Sequence, residues 1–487
     1  MIMSMDNASN NNTTATELAR ILPTFQGLLW RIRCILHILN LIAKAIFAHF
    51  TKVAKRTKTA DSSNSHPDLD DIVEGDDLED LELNNAAVAD EEDEQSTVLT
   101  AQLIHNTGVV KSIRARAIAE MATRGVQITA TTQKCAEGII PKVSGLARRV
   151  HDSSSVLKPE FEHLVMSTPD INTNKTVLSR RVATRWNSEY GCLDDHITLR
   201  RPVEALTGQT KHKLGAYRLT EAQWSLSNEL RNLLKIFLAA TLAFSRKETP
   251  LVHELVELLE DIIRSLRLAR DSISSPKGKP ISPIIRIAAH SGILVAEKYF
   301  KLFGECEVYA IAIVMSPEKK LQWFGSRGWS QEEITQVTEH VLKRWSESYV
   351  HLPTAAQASS VFIALTPVNL DDPKEEDWSA FATTQHLNTH QATPLMPDEI
   401  LAYLQAPIVS KEELDACGGV VKDWDSKKEI WPRLYRIASD FLSAPASSVD
   451  VEFHEAVSAI ESAMRGEEDH LTKVDTIGIK VYKKIII

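Results

Sequence analysis

Residues 431–452 read WPRLYRIASDFLSAPASSVDVE, and this stretch sets the helical character expected of the chain. Pro432 suits a first helical turn, where its missing N–H costs nothing. Leu434, Ile437, Ala438, Phe441 and Leu442 then recur at i, i+3, i+4, i+7 and i+8, a single apolar stripe. Pro445 ends that helix. Ser447 and Ser448 open another, with Asp450 three residues after Ser447 in a loose capping arrangement. Val449, Phe453, Ala456, Val457, Ile460 and Met464 carry the period onward. Glu452 stands at the margin of that second stripe. From there an acid can reach into a cleft or face solvent, and periodicity alone favours solvent.

Composition bounds the rest. The chain has 487 residues, 43% of them apolar and 25% charged, enough for two or three globular domains. Five scattered cysteines without a CxxC pair argue against a disulfide framework or a cysteine-rich zinc site. The most apolar window, 28–50, is interrupted by Arg31, Arg33, His37 and Lys44, so it reads as a core helix and no membrane partner is expected. The net charge of −10 is unevenly spread. Residues 68–94 hold fourteen acids and no Lys or Arg, leaving a formal +4 on the remainder, which is compatible with a nucleic-acid surface.

Taken in order, residues 1–6 form a short apolar strand ending at Asp6, and the polar turn 7–12 leads to a helix from about Thr13 to Leu22. An acid at the carboxyl end of a strand is where α/β folds carry functional groups, and it is also an ordinary helix-capping position. Trp30–Leu41, WRIRCILHILNL, begins with strand alternation and becomes a helix apolar all round. Cys34 and His37 alone cannot make a tetrahedral zinc site, so no zinc is expected. Residues 59–100 are too acidic and too poor in apolar groups to fold, and read as a disordered insertion. Residues 109–149 are helical and basic. Thr184–Ser188, TRWNS, precedes an amphipathic helix; its Arg can pair a phosphate and its Trp can stack on a base or simply fill a core. Helices are expected at 224–243, 251–270 and 331–349, loops at 274–283 and 353–394.

Four strings, DNASNN (6–11), RCILHILNL (33–41), TRWNS (184–188) and PRLYRIASDFLSAPASSVDVE (432–452), occur in the order seen in hAT-superfamily DNA transposases, and the chain resembles that family. KYFKLFGECEVYAIAIVMSPEKKLQWF (298–324) and DEILAYL (398–404) resemble two further family blocks, with Ser316 where the family carries Asp. The match stops after Glu452, where Phe453 replaces the family's Arg.

The resemblance implies a mostly α fold: a remnant of an RNase H-like α/β sheet joined to a large all-helical insertion domain. It divides the chain into a partial RNase H-like core (1–58), the acidic insertion (59–100), the helical insertion domain (101–395), a C-terminal dimerisation region (396–466) and a divergent tail (467–487). It makes Asp6 and Glu452 two acids of a DDE catalytic set and gives His37, Arg185 and Trp186 DNA contacts. That chemistry uses three acids on two divalent ions. The first acid is expected upstream of Asp6, so the chain reads as N-terminally truncated. Asp6 and Glu452 alone would hold Mg²⁺ weakly, and Mg²⁺ matters only to an active enzyme. The implied protein is a transposase-derived, nuclear homodimer with DNA as a partner, inactive in strand transfer. Two readings stay open beside it: an active DDE transposase represented by an incomplete chain, and a plain helical protein-interaction scaffold.

Overall fold

The computed structural model describes residues 2–5, 7, 10–22, 25–52, 111–169, 175–182, 185–244, 252–274, 278–352 and 398–446. Asp6, Glu452, the acidic block, the loop expected at 353–394, the second helix expected after Ser447 and the tail 467–487 lie outside these residues.

The described residues are mostly helical, with one small parallel sheet. Strand β1 (Met3–Met5) pairs with β2 (Arg31–Arg33) in the register Met3↔Arg31, Ser4↔Ile32, Met5↔Arg33. Parallel strands need a crossover rather than a hairpin. Helix α1 (Asn10–Ile21) and a 3₁₀ turn (Gly27–Trp30) supply it. The helix begins three residues earlier than expected. Gly27 closes the crossover at φ +62°, where a Cβ would stand 3.3 Å from Ala19 Cβ, so only glycine fits without strain.

Helix α2 (Ile35–Phe47) buries Ile35, Ile38, Leu39, Ile42, Ala43 and Ala45–Phe47 and keeps His37, Asn40 and Lys44 on a half-buried face, so it is not apolar all round as expected. The chain resumes with α3 (111–123), α4 (Ala130–Glu137), α5 (Ile139–Asp152) and α6 (Leu157–Ser167). Helices α7 (Trp186–Thr198), α8 (Arg200–Thr207), α9 (Glu221–Phe244) and α10 (Leu255–Asp271) follow. Then come α11 (Pro283–Phe303), α12 (Glu307–Val314), α13 (Lys320–Ser326) and α14 (Gln331–Ser348). The last four are α15 (Glu399–Gln405), α16 (Lys411–Cys417), α17 (Val420–Lys427) and α18 (Pro432–Leu442). The reading of 432–442 holds in detail: Pro432 sits in the first turn, and Leu434, Ile437, Ala438, Phe441 and Leu442 are the buried stripe.

Helices α2, α10 and α11 form the centre. Gly292 on α11 lets them converge, since a Cβ there would stand 3.1 Å from both Ile46 Cδ1 and Leu266 Cδ1. One hydrophobic cluster runs from Ile32 through α2, α5, α7, α9–α14 and α18 to Ala446. It passes across the boundaries near 58 and 395 that the sequence suggested, so the strand pair, the helical body and the C-terminal helices share one interior. Among the described residues no helix is long and apolar enough to cross a membrane.

Candidate functional site

Two places where distant sequence blocks meet concentrate the buried polar chemistry. The first lies where the strand pair enters the helical body. Cys34 N–H donates to Met5 O at 2.9 Å, and Asn7 Nδ2 donates to Cys34 O at 3.2 Å. Ile35 N–H, the next residue, donates to Ala446 O at 3.3 Å. The residues flanking Asp6 and the last described residue before Glu452 are thus tied to consecutive positions at the start of α2. Nearby, Trp30 meets Phe441 edge-on, with ring centroids 6.1 Å apart. Arg31 is buried and donates to Asn12 Oδ1, which links α1 to β2.

Three positions of α2, His37, Asn40 and Lys44, share one helical face at i, i+3 and i+7. Asn40 Oδ1 accepts from the Trp186 backbone N–H at 3.0 Å. The first N–H groups of a helix have no intrahelical partner, and no side chain of Arg185 caps α7, so Asn40 satisfies that group from another helix. One turn on, Lys44 Nζ lies 2.9 Å from Glu189 Oε2. Arg181 closes the other side, its Nε and Nη2 at 2.8 and 2.7 Å from Glu189 Oε1.

Glu189 is 3% exposed. Burial works against its charge, but Lys44 and Arg181 outweigh it and hold the carboxyl below the usual range. Arg181 is itself positioned. Asp195 Oδ2 accepts from Ser179 N–H at 2.8 Å and pairs with Lys175, while Ser188 Oγ accepts from Val182 N–H at 2.8 Å.

The sequence-predicted residues sit around this network with different exposures. Arg185 is exposed and His37 half-buried. Trp186 is 3% exposed, its ring edge-on to Tyr190 and Phe237 at about 6 Å. In this packing the indole fills the core, the plainer of its two expected roles, and offers no open face to a base. Glu189 was not singled out from the sequence. Its one signal is an acid three residues after Trp186, beside Tyr190 and Leu193 on the buried stripe of α7.

The second meeting place joins the turn 315–320 to the C-terminal blocks. Lys320 is buried and left-handed at φ +46°. Its Nζ donates to Tyr403 O, Ala406 O and Pro407 O at 2.8, 2.9 and 3.1 Å, closing the carbonyl end of α15. The same ammonium stands 4.2 Å from the Tyr403 ring centroid. Burial, helped by Lys427, draws its pKa down to about 8. Trp424 Nε1 donates to Met315 O at 2.8 Å, and Tyr403 Oη to Val314 O at 2.9 Å. Ser316 is buried and donates to Ala312 O at 3.1 Å, so it closes the end of α12 locally. Glu399 accepts from Arg433 Nε at 2.6 Å and from the N–H groups of Arg433 and Leu434, anchoring the start of α18.

Among the described residues no group of three or more His, Cys, Asp or Glu side chains is arranged to hold a metal ion. The two acids expected to hold Mg²⁺ lie outside those residues. No protein-family model matches the chain, and no curated protein matches it.

Proposed function

We propose that the chain is a hAT-type, transposase-derived protein that binds DNA and self-associates through its helical body without carrying out strand transfer. The observation that carries this reading is the contact between two of the resembling strings. Asn40 and Lys44, from the block around RCILHILNL, meet Trp186 and Glu189, from the block around TRWNS, across about 145 residues of sequence. Strings that resemble one family only by their order are independent signals; strings that also share a buried ion cluster form one structural unit. The parallel β1–β2 pair with a helical crossover supports the finer reading of a remnant RNase H-like sheet.

In this reading Lys44, Arg181 and Glu189 do no chemistry. They hold α2 against α7, at whose start the exposed Arg185 can meet a phosphate. Two carboxylates, Asp6 and Glu452, are one short of the three that two-ion phosphoryl transfer uses. Mg²⁺, held by that pair, would supply charge neutralisation at a phosphate. Zinc has no part in the proposal, and the expected compartment is the nucleus.

Duplex-DNA titrations at several salt concentrations test it. Affinity should fall log-linearly as salt rises, because phosphate contacts release counterions. Sedimentation should return a dimer, and Mg²⁺ with a labelled DNA end should yield no joined product. Joined product would move the chain to the active-enzyme reading. Salt-independent or absent DNA binding would leave only the protein-interaction scaffold.

A further inference from the structure

We infer that a second DNA-contacting surface of this protein is a basic ledge formed where the loop 210–219 is clamped onto α5, with Arg149, Lys213 and Arg218 as its phosphate-facing cations. The inference rests on the proposed DNA-binding role and adds a further set of phosphate contacts to the one at Arg185.

Two acid-free stretches meet here. Residues 138–151 contain Lys142, Arg148 and Arg149 and no Asp or Glu; residues 205–220 contain Lys211, Lys213 and Arg218 and no Asp or Glu. The fold lays one upon the other. On α5, Lys142, Gly145 and Arg149 share one face at i, i+3 and i+7. Tyr217 lies so close to Gly145 that a Cβ there would stand 2.5 Å from Tyr217 Cε1. Lys142 Nζ donates to Arg218 O at 3.0 Å, a second tie across the same seam.

The loop is pinned from within. Leu214, Ala216, Tyr217 and Leu219 are buried, while Lys211, Lys213 and Arg218 between them are exposed. Lys213 takes the left-handed conformation, φ 52° and ψ 39°, as the C-terminal cap of one 3₁₀ turn (Thr210–His212) before the next (Gly215–Tyr217). That conformation costs an L-residue about 1 kcal/mol, and the buried anchors hold it. A loop ordered in this way loses little further entropy on binding.

The neighbouring acids are already engaged. Glu160 pairs with Lys211 and His212, and Asp152 with Arg148. Among the described residues no carboxylate pairs with Arg149, Lys213 or Arg218. Exposed cations without carboxylate partners, one on α5 and two on the loop pinned against it, suit the phosphates of a duplex, which carries one negative charge per about 1.7 Å of its axis.

The test compares two charge-matched triple variants of the full chain in duplex-DNA titrations across salt. One is Arg149→Ser, Lys213→Ser, Arg218→Ser; the other is Lys298→Ser, Lys343→Ser, Lys411→Ser, three exposed lysines elsewhere. Thermal melts check that both stay folded. The ledge variant should lower the slope of log affinity against log salt by about 2.7, at about 0.9 for each phosphate no longer neutralised. The control should lower it by less than about 1. Equal slopes for both variants would overturn the ledge and leave DNA binding itself standing. Absence of binding by the unaltered chain would overturn both.

Discussion

Two lysines, a half-buried Lys44 and a buried Lys320, tie distant blocks of this molecule together, and they do so by opposite means. Lys44 meets a carboxylate, Glu189, which Arg181 also grips. Lys320 meets only backbone carbonyls, three of them, at the end of α15. In the first junction two cations share one carboxylate, which is held below its usual range. In the second the ammonium leans on the negative end of a helix and an aromatic face, and burial pulls its pKa down to about 8. A buried cation with a carboxylate partner is costly to break from either side. One that rests on carbonyls can be removed more cheaply, since carbonyls at a helix end can turn to water.

Acid should cost the folded chain most. His49 and His196 sit on α2's end and on α7, fully buried and neutral; burial lowers their pKa values to about 3 and 4, with Arg114 adding to the effect on His49. The unfolded chain binds protons below about 6.5, where the folded one does not, so stability is complete above that pH and falls as pH drops toward 4. Each histidine removes up to about 1.4 kcal/mol per pH unit, so the pair costs several kcal/mol by pH 4.5. Urea midpoints at pH 7, 5.5 and 4.5 measure this. A midpoint that stayed constant would mean that the histidines are solvated.

Next in size is Glu189→Gln. It leaves Lys44 and Arg181 facing each other without the acid, and breaking a buried pair in this way costs about 3 kcal/mol. If the two junctions are as unlike as their partners suggest, Lys320→Met costs less, about 2 kcal/mol, for the three carbonyl bonds. Chemical denaturation of the two variants side by side decides it, and equal losses would erase the contrast. Alkali sharpens the same point. Between pH 8 and about 10.5 the unfolded chain holds a proton on Lys320 that the folded chain has released, so the unaltered protein should gain stability there relative to Lys320→Met.

How much of this was legible in the chain follows from what periodicity encodes. The stripe Leu434–Leu442, the strand before Asp6 and the switch from strand to helix at Cys34 were all readable, because each is a local pattern with local punctuation. The helices at 221–244, 255–271 and 331–348 fall within a few residues of expectation for the same reason. Which helix faces which was not readable. Asn40 meets Trp186 across nearly 150 residues, and nothing in either segment names the other. Trp186 illustrates the limit: TRWNS fits a stacking residue and a core residue equally well until Tyr190 and Phe237 close on the ring. Lys320 and Glu189 were passed over because a charged residue reads as surface, and only the tertiary contact supplies the partner that makes burial tolerable.

The smallest effect separates backbone from side chain at Lys320. Its φ of +46° costs an L-residue about 1 kcal/mol, and glycine takes that conformation without penalty. Lys320→Gly and Lys320→Met both remove the ammonium, but only glycine relieves the backbone. The methionine also keeps some apolar contact with Tyr403, so the two terms oppose each other. If strain is the larger, Lys320→Gly is more stable than Lys320→Met by up to about 1 kcal/mol, read as a higher denaturant midpoint at unchanged slope. A lower midpoint for glycine would mean that the apolar contact of a long side chain at this position outweighs the backbone strain. The second junction would then be an apolar contact capped by a charge, and its contrast with the ion cluster at Glu189 would be wider still.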